Sequence, residues 1–191
     1  ARKHIHDYIQ ANAMTAFAQV DVVQEFYSGA LNIIQAHGVG GLEANTVMMG
    51  WSRVPEGRAT QVKLSQDLTA LHKSSLFLFY DAERGYGRKK VIDVWWAGRG
   101  GNADLMLLLA HLISRHRSWV GSKIRLIRVI DGEDGREQVT AHMAQTLAAV
   151  RVEAEPVVIV RDAAAESIAD IMDECSKETD FTFLGLKVPP N

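Results

Sequence analysis

Residues 91–129, VIDVWWAGRGGNADLMLLLAHLISRHRSWVGSKIRLIRV, decide the fold of this chain. An apolar run ending in Trp95-Trp96 enters a glycine-rich turn, an apolar helix follows, and a basic-aromatic segment at 115–119 leads into a second apolar run. A strand, a turn, a helix and another strand in this order are typical of a β-α-β unit in a parallel sheet.

The rest of the chain alternates in the same way. Runs such as 156–160 (PVVIV) are apolar without alternation, as expected of strands that are covered on both sides. Right-handed crossovers then place helices on both faces of a mostly parallel sheet, so we predict an α/β fold. Predicted strands lie near 15–20, 46–51, 76–80, 91–97, 124–130, 157–161 and 181–186; predicted helices lie near 1–13, 21–37, 61–72, 102–116, 134–149 and 164–177.

The polar segment 81–90, which contains Gly85 and Gly87, is the best boundary between two halves. We therefore predict an N-terminal α/β half at 1–84, truncated at its start, and a C-terminal α/β half at 85–191.

Composition bounds the class of protein. The chain has 191 residues, is 47% hydrophobic and 23% charged, and has a formal net charge of −2. This net charge gives no overall electrostatic reason to expect a nucleic acid or an acidic membrane surface as partner. The single Cys175 excludes an internal disulfide and favours the cytoplasm. No apolar run approaches the roughly 20 residues of a membrane helix.

One turn is a candidate anion or nucleotide site. Gly98, Gly100, Gly101 and Asn102 lie between a predicted strand and a predicted helix, where free N–H groups favour a phosphate. Their spacing matches neither the dinucleotide fingerprint nor the P-loop. A tight turn with Asn102 as helix N-cap is the favoured interpretation.

Catalytic and metal-binding patterns are weak. Asp93 lies inside a predicted strand; pairing with a Lys or Arg is favoured over a role as a catalytic acid. Cys175 falls on the apolar face of a predicted helix and is expected to be packed. His4 and His6 have no identifiable third partner for a metal. We therefore assign no catalytic and no metal-binding residue.

Three tryptophans are candidate interface residues. Trp95 and Trp96 are adjacent on one strand, so their rings point to opposite faces of the sheet. Large aromatic side chains are common anchors of protein interfaces. Trp95, Trp96 and Trp119 are therefore our candidates for self-association.

Six blocks of the chain together carry a resemblance to a known family. They are 14–20 (MTAFAQV), 37–42 (HGVGGL), 44–51 (ANTVMMGW), 91–96 (VIDVWW) with Gly100-Gly101, 150–155 (VRVEAE) and 181–186 (FTFLGL). In this order they resemble the cytosolic C-terminal domain of cation-chloride cotransporters, within the amino acid-polyamine-organocation superfamily. Ala44 stands where the family block P-N-T-x-x-x-G has its proline. The compact second half is similar to prokaryotic members.

The resemblance implies halves like universal stress proteins and a regulatory and dimerisation domain, not an enzyme, of a secondary transporter. The transported species is expected to be cations with chloride, or amino acids in a divergent relative. The resemblance places the domain at the cytoplasmic face of the cell membrane, as a homodimer, with its own transmembrane domain outside this chain as partner. It implies no cofactor, although ATP stays open. The alternative is a stand-alone nucleotide-binding domain of the universal-stress type, whose late glycine motif is missing at 160–163 (VRDA).

Overall fold

The computed structural model describes residues 2–39, 42–98 and 102–186. Its contacts divide the chain into two compact units between Phe79 and Tyr80. The boundary predicted from the sequence lies a few residues further along, in the polar segment 81–90. Each unit is described separately.

The first unit contains a short parallel sheet with its connecting helix. Strands β3 (Thr46–Gly50) and β4 (Ser74–Leu78) pair in parallel from Thr46↔Ser74 to Gly50↔Leu78, and helix α3 (Pro55–Ala70) connects them. Leu64 and Leu68 of α3 are fully buried. The elements are α1 (Arg2–Ala11), α2 (Phe26–Ala36), β1 (Gly38–Val39), β2 (Leu42–Glu43), β3 (Thr46–Gly50), α3 (Pro55–Ala70) and β4 (Ser74–Leu78).

Three predictions for the first unit are wrong. Residues 15–20 form no strand, because no neighbouring strand pairs with them; Phe17 is fully exposed. Helix α2 begins after Glu25, not Asp21, since the Glu25 carboxylate accepts from the first-turn amides. Helix α3 begins at Pro55, inside the predicted loop 53–60, because proline fits the first turn of a helix.

The second unit has one four-stranded, all-parallel sheet in the order β7 (Glu155–Arg161), β6 (Lys123–Asp131), β5 (Val91–Trp95) and β8 (Phe181–Leu184). Every element lies within a few residues of its predicted position. The elements are β5 (Val91–Trp95), α4 (Asn102–Arg115), β6 (Lys123–Asp131), α5 (Arg136–Val150), β7 (Glu155–Arg161), α6 (Ile168–Cys175) and β8 (Phe181–Leu184). The predicted α/β class with a mostly parallel sheet is confirmed.

The side chains of strand β5 alternate between the two faces of this sheet. Ile92 and Val94 of the strand, and Trp96 directly after it, join the apolar core with α4 and α5. Asp93 and Trp95 point the other way, toward the end of α6. The alternation of a strand therefore separates an apolar layer from a layer that contains a buried charge.

Candidate functional site

The turn after β5 is built around Gly98, whose φ of +90° lies in the left-handed region. A Cβ on Gly98 would lie 2.5 Å from the guanidinium carbon of Arg128. The side-chain amide of Asn102, at the start of α4, donates to the Leu186 carbonyl at 3.2 Å. Gly100 and Gly101 lie outside the described residues, so the anion-binding interpretation of this turn stays a prediction.

Arg128 belongs to an aromatic stack that no local pattern in the sequence predicts. Its guanidinium lies over the Trp96 ring, 5.4 Å from the centroid, and His142 of α5 stacks on the same ring at 5.5 Å. Arg128 and Trp96 are 32 positions apart, and only the register of β5 with β6 brings them together. The stack holds the carboxyl ends of both strands against α5.

Asp93 is the centre of a buried polar cluster. Nε and Nη2 of Arg125 donate to its two carboxylate oxygens, each at 2.7 Å. The hydroxyls of Ser176 and Thr179 both donate to Oδ2 at 2.6 Å, and the indole N–H of Trp95 donates to Ser176 at 3.0 Å. The predicted pairing of Asp93 with a basic residue is confirmed.

The electrostatics of this cluster favour a fixed ion pair. The hydrogen bond to Asp93 raises the pKa of Arg125, against the opposing effect of burial. Oδ1 accepts a hydrogen bond from Arg125, and Oδ2 accepts three. Donors of the protein itself therefore use most of the hydrogen-bonding capacity of the carboxylate. This arrangement supports the fold and offers no free acid or base.

Two further charged groups hold the turn between α6 and β8, which we call the 175–180 turn. Nη2 of Arg84 donates to the carbonyls of Lys177 and Thr179, both at 2.7 Å. The Asp180 carboxylate accepts from the amides of Arg88, Lys90 and Val91 at 2.6–3.0 Å. The turn therefore ties the edge strand β8 to the segment that leads into β5.

Cys175 begins this turn and is half-buried. Burial raises the pKa of its thiol, and the nearby Arg125 only partly opposes that effect. The thiol is therefore protonated near neutral pH, as expected for a packed cysteine.

The three candidate interface tryptophans are covered by their own unit. Trp95, Trp96 and Trp119 are 8%, 7% and 7% exposed. Trp95 and Trp96 lie on opposite faces, as predicted, and Trp119 packs edge-on against Phe181. Packing within the unit accounts for most of each ring, and a role in self-association stays a prediction.

Within the described ranges, no group of three or more His, Cys, Asp or Glu side chains is placed to hold a metal ion. In the same ranges, no helix has both the length and the apolar content needed to cross a bilayer. Asp93 is the one fully buried charged side chain among these residues, and it is paired. The geometry thus defines an α/β domain whose polar clusters maintain its structure.

The comparisons with known proteins identify the family. The model of solute carrier family 12 (SLC12) matches residues 56–180, from α3 through the Asp93 cluster to Asp180. This chain belongs to solute carrier family 12, which confirms the resemblance to cation-chloride cotransporters.

A solved structure shares the fold. The crystal structure of the cytoplasmic domain of a prokaryotic cation chloride cotransporter superposes with a TM-score of 0.66 at 13% sequence identity. The match covers 86% of this chain and 64% of that one, so this chain spans about two thirds of the solved domain.

Proposed function

We propose that this chain is a cytosolic regulatory and dimerisation domain of a secondary transporter that moves cations with chloride. The observation that carries the proposal is the family match, which covers α3 and β4 of the first unit, three of the four strands of the second unit's sheet, and the Asp93 cluster. The fold shared with the cytoplasmic domain of a prokaryotic cotransporter supports the same role.

The domain acts without chemistry of its own. A regulatory domain biases a transporter only if it makes different contacts in the inward- and outward-facing states. A domain whose elements are tied together suits this role, and in the second unit the Asp93 cluster joins β5 and β6 to the 175–180 turn, while the Arg128–Trp96–His142 stack joins β6 to α5. The partner is the transporter's own membrane domain, at the cytoplasmic face, and the assembly is a homodimer.

Cation uptake into liposomes tests the transport role. The parent transporter, reconstituted as purified protein, is expected to take up cations only when chloride is present. Arg125→Met, which strands the buried Asp93 carboxylate, is expected to change the uptake rate at equal protein per vesicle. Arg136→Met is the matched control, because Arg136 is exposed and, among the residues that the structure describes, its guanidinium pairs only with the exposed Glu133.

The two possible failures have different meanings. Uptake that is independent of chloride would overturn the proposed solute pair. Chloride-dependent uptake that stays at the wild-type rate after the second unit has been destabilised would overturn the regulatory role.

A thermal melt with ATP tests the alternative of a stand-alone nucleotide-binding domain. The proposed function requires no nucleotide, so we expect ATP to leave the melting temperature unchanged. A ligand at a hundred times its dissociation constant adds about 2.7 kcal/mol of stability. A rise in melting temperature that corresponds to a gain in stability of this size would favour the nucleotide-binding function over the transporter role.

A further inference from the structure

Helix α4 is apolar on both of its faces. Met106, Leu107 and Ala110 are buried against the sheet. On the opposite side, Leu108 and Leu112 are 51% and 56% exposed. Two exposed leucines one helical turn apart form an apolar patch, which is the kind of surface that a partner covers.

Charges of opposite sign flank these leucines. Asp104 lies in the first turn of α4 and Arg115 in the last. At 100° per residue, Asp104, Leu108, Leu112 and Arg115 fall within roughly 80° of one another, opposite the buried face. We call these four residues the outer stripe of α4. Within the part of the chain that the structure describes, neither charged side chain of the stripe forms a hydrogen bond or an ion pair.

The outer stripe is complementary to itself. Its acidic end and its basic end are about three helical turns apart, with the leucines midway between them. If two copies of α4 pack antiparallel about a two-fold axis, Asp104 of each copy faces Arg115 of the other, and Leu108 faces Leu112. A contact related by a two-fold axis requires this kind of self-complementarity.

We propose that the outer stripe of α4 is the surface through which a second copy of this chain docks, helix against helix and antiparallel. This inference rests on the proposed dimerisation and names its surface. A narrow row of two leucines fits the ridge of one helix. The stripe has one acidic and one basic residue and thus no net charge, so it offers an anionic bilayer no net electrostatic attraction.

Charge reversal tests the pairing, with sedimentation equilibrium of the 191-residue chain as the measurement. Asp104→Arg sets two arginines against each other at both ends of the contact, and Arg115→Asp sets two aspartates. Each single variant is expected to weaken the dimer about tenfold, since an exposed ion pair contributes up to about 1 kcal/mol and occurs twice. The double variant restores both pairs and is expected to return to within about threefold of wild type.

The leucines provide the second arm of the experiment. Leu112→Gln is expected to weaken the dimer roughly 100-fold, because two copies of the side chain lose their apolar contact. Ile168→Gln is the matched control, since Ile168 is similarly exposed in the same unit but lies on α6. Circular dichroism melts at concentrations where every variant is monomeric are expected to lie close to wild type, because the altered side chains are exposed and dimerisation no longer contributes to stability.

The possible outcomes test the proposed docking surface and dimerisation itself separately. A wild-type dimer that responds neither to charge reversal nor to Leu112→Gln overturns the outer stripe and leaves dimerisation standing. A dimer that both single reversals weaken, but that the double variant does not restore, also overturns the antiparallel pairing. A wild-type chain that stays monomeric at high concentration overturns dimerisation itself, while chloride-dependent uptake still tests the transport role separately.

Discussion

Asp93 and Arg125 face each other on adjacent parallel strands, and the guanidinium binds both carboxylate oxygens of Asp93 at 2.7 Å. The carboxylate side chain is fully buried, whereas the Arg125 side chain keeps 27% of its surface exposed. The two partners therefore depend on the pair unequally. Arg125 can reach water if the pair is lost, but Asp93 cannot.

Removing Arg125 should therefore cost more than removing the charge of Asp93. Arg125→Met is expected to lower the free energy of unfolding by about 3–5 kcal/mol, because it leaves a buried carboxylate without its counter-charge. Asp93→Asn is expected to cost less. Urea denaturation measures both values, and Asp93→Asn/Arg125→Met should cost clearly less than their sum. Additive costs would show that the pair is not coupled.

The stability of the second unit should also depend on Asp180 at low pH. Burial of Asp180 tends to raise its pKa, but the backbone amides of residues 88–91 outweigh this effect and lower the pKa. A lowered pKa in the folded state stabilises the protein above the unfolded value of about 3.9, and this contribution disappears as the pH falls through the folded pKa.

Asp180→Asn should accordingly destabilise the protein at pH 7 and converge toward wild type below about pH 4. Urea denaturation of wild type and Asp180→Asn, at pH 7 and below about pH 4, measures the free energy of unfolding of each protein. Asp173→Asn on the exposed side of α6 is the control and should change stability little at either pH. An equal cost for Asp180→Asn at both pH values would contradict the assigned role of its carboxylate.

Alanine substitutions at Gly98 and Gly121 distinguish the cost of backbone strain from the cost of a side-chain clash. Both have a positive φ, but a Cβ on Gly98 would meet the Arg128 guanidinium, whereas Gly121 faces open space. Alanine at either position should cost about 1 kcal/mol of strain. Gly98→Ala should cost roughly 1 kcal/mol more, because it displaces Arg128 from Trp96.

Thermal melts measure this difference, and Arg128→Ala supplies the control background. Without the guanidinium, Gly98→Ala should cost no more than Gly121→Ala. If the difference persists in that background, Arg128 is not its cause.

Cys175 should react slowly with alkylating reagents. Because burial raises the pKa of its thiol, the thiolate fraction at pH 7.5 is small. Iodoacetamide should modify the folded chain at least about tenfold more slowly than the chain in urea, with mass spectrometry as the readout. Equal rates in the two conditions would show that Cys175 is freely accessible and that its environment does not matter.

Much of the second unit could be predicted from the sequence, because strands covered on both sides are continuous apolar runs. The run 156–160 and the block VIDVWW gave β7 and β5 within about two residues. The carboxylate at Asp93 was unusual enough to predict a basic partner. Its identity could not be predicted, because Arg125 reaches Asp93 only through the register between two strands.

The first unit shows where local patterns are insufficient. Residues 15–20 have the composition of a strand, yet a strand also needs a neighbour, and local sequence does not specify one. The predicted start of α2 was wrong for a related reason. Asp21 and Glu25 are both plausible N-caps, and only the hydrogen bonds that the side chain accepts distinguish them. The Arg128–Trp96–His142 stack joins three elements and leaves no local signal.

The order of strands in the second unit has a consequence for synthesis on the ribosome. Strand β5 lies between β6 and β8, and β8 is made about 90 residues after β5. At translation rates of about 5–20 residues per second, one edge of β5 waits several seconds for its neighbour. During that interval the edge of β5 that will pair with β8 lacks its neighbouring strand, and unpaired apolar strand edges favour association between nascent chains.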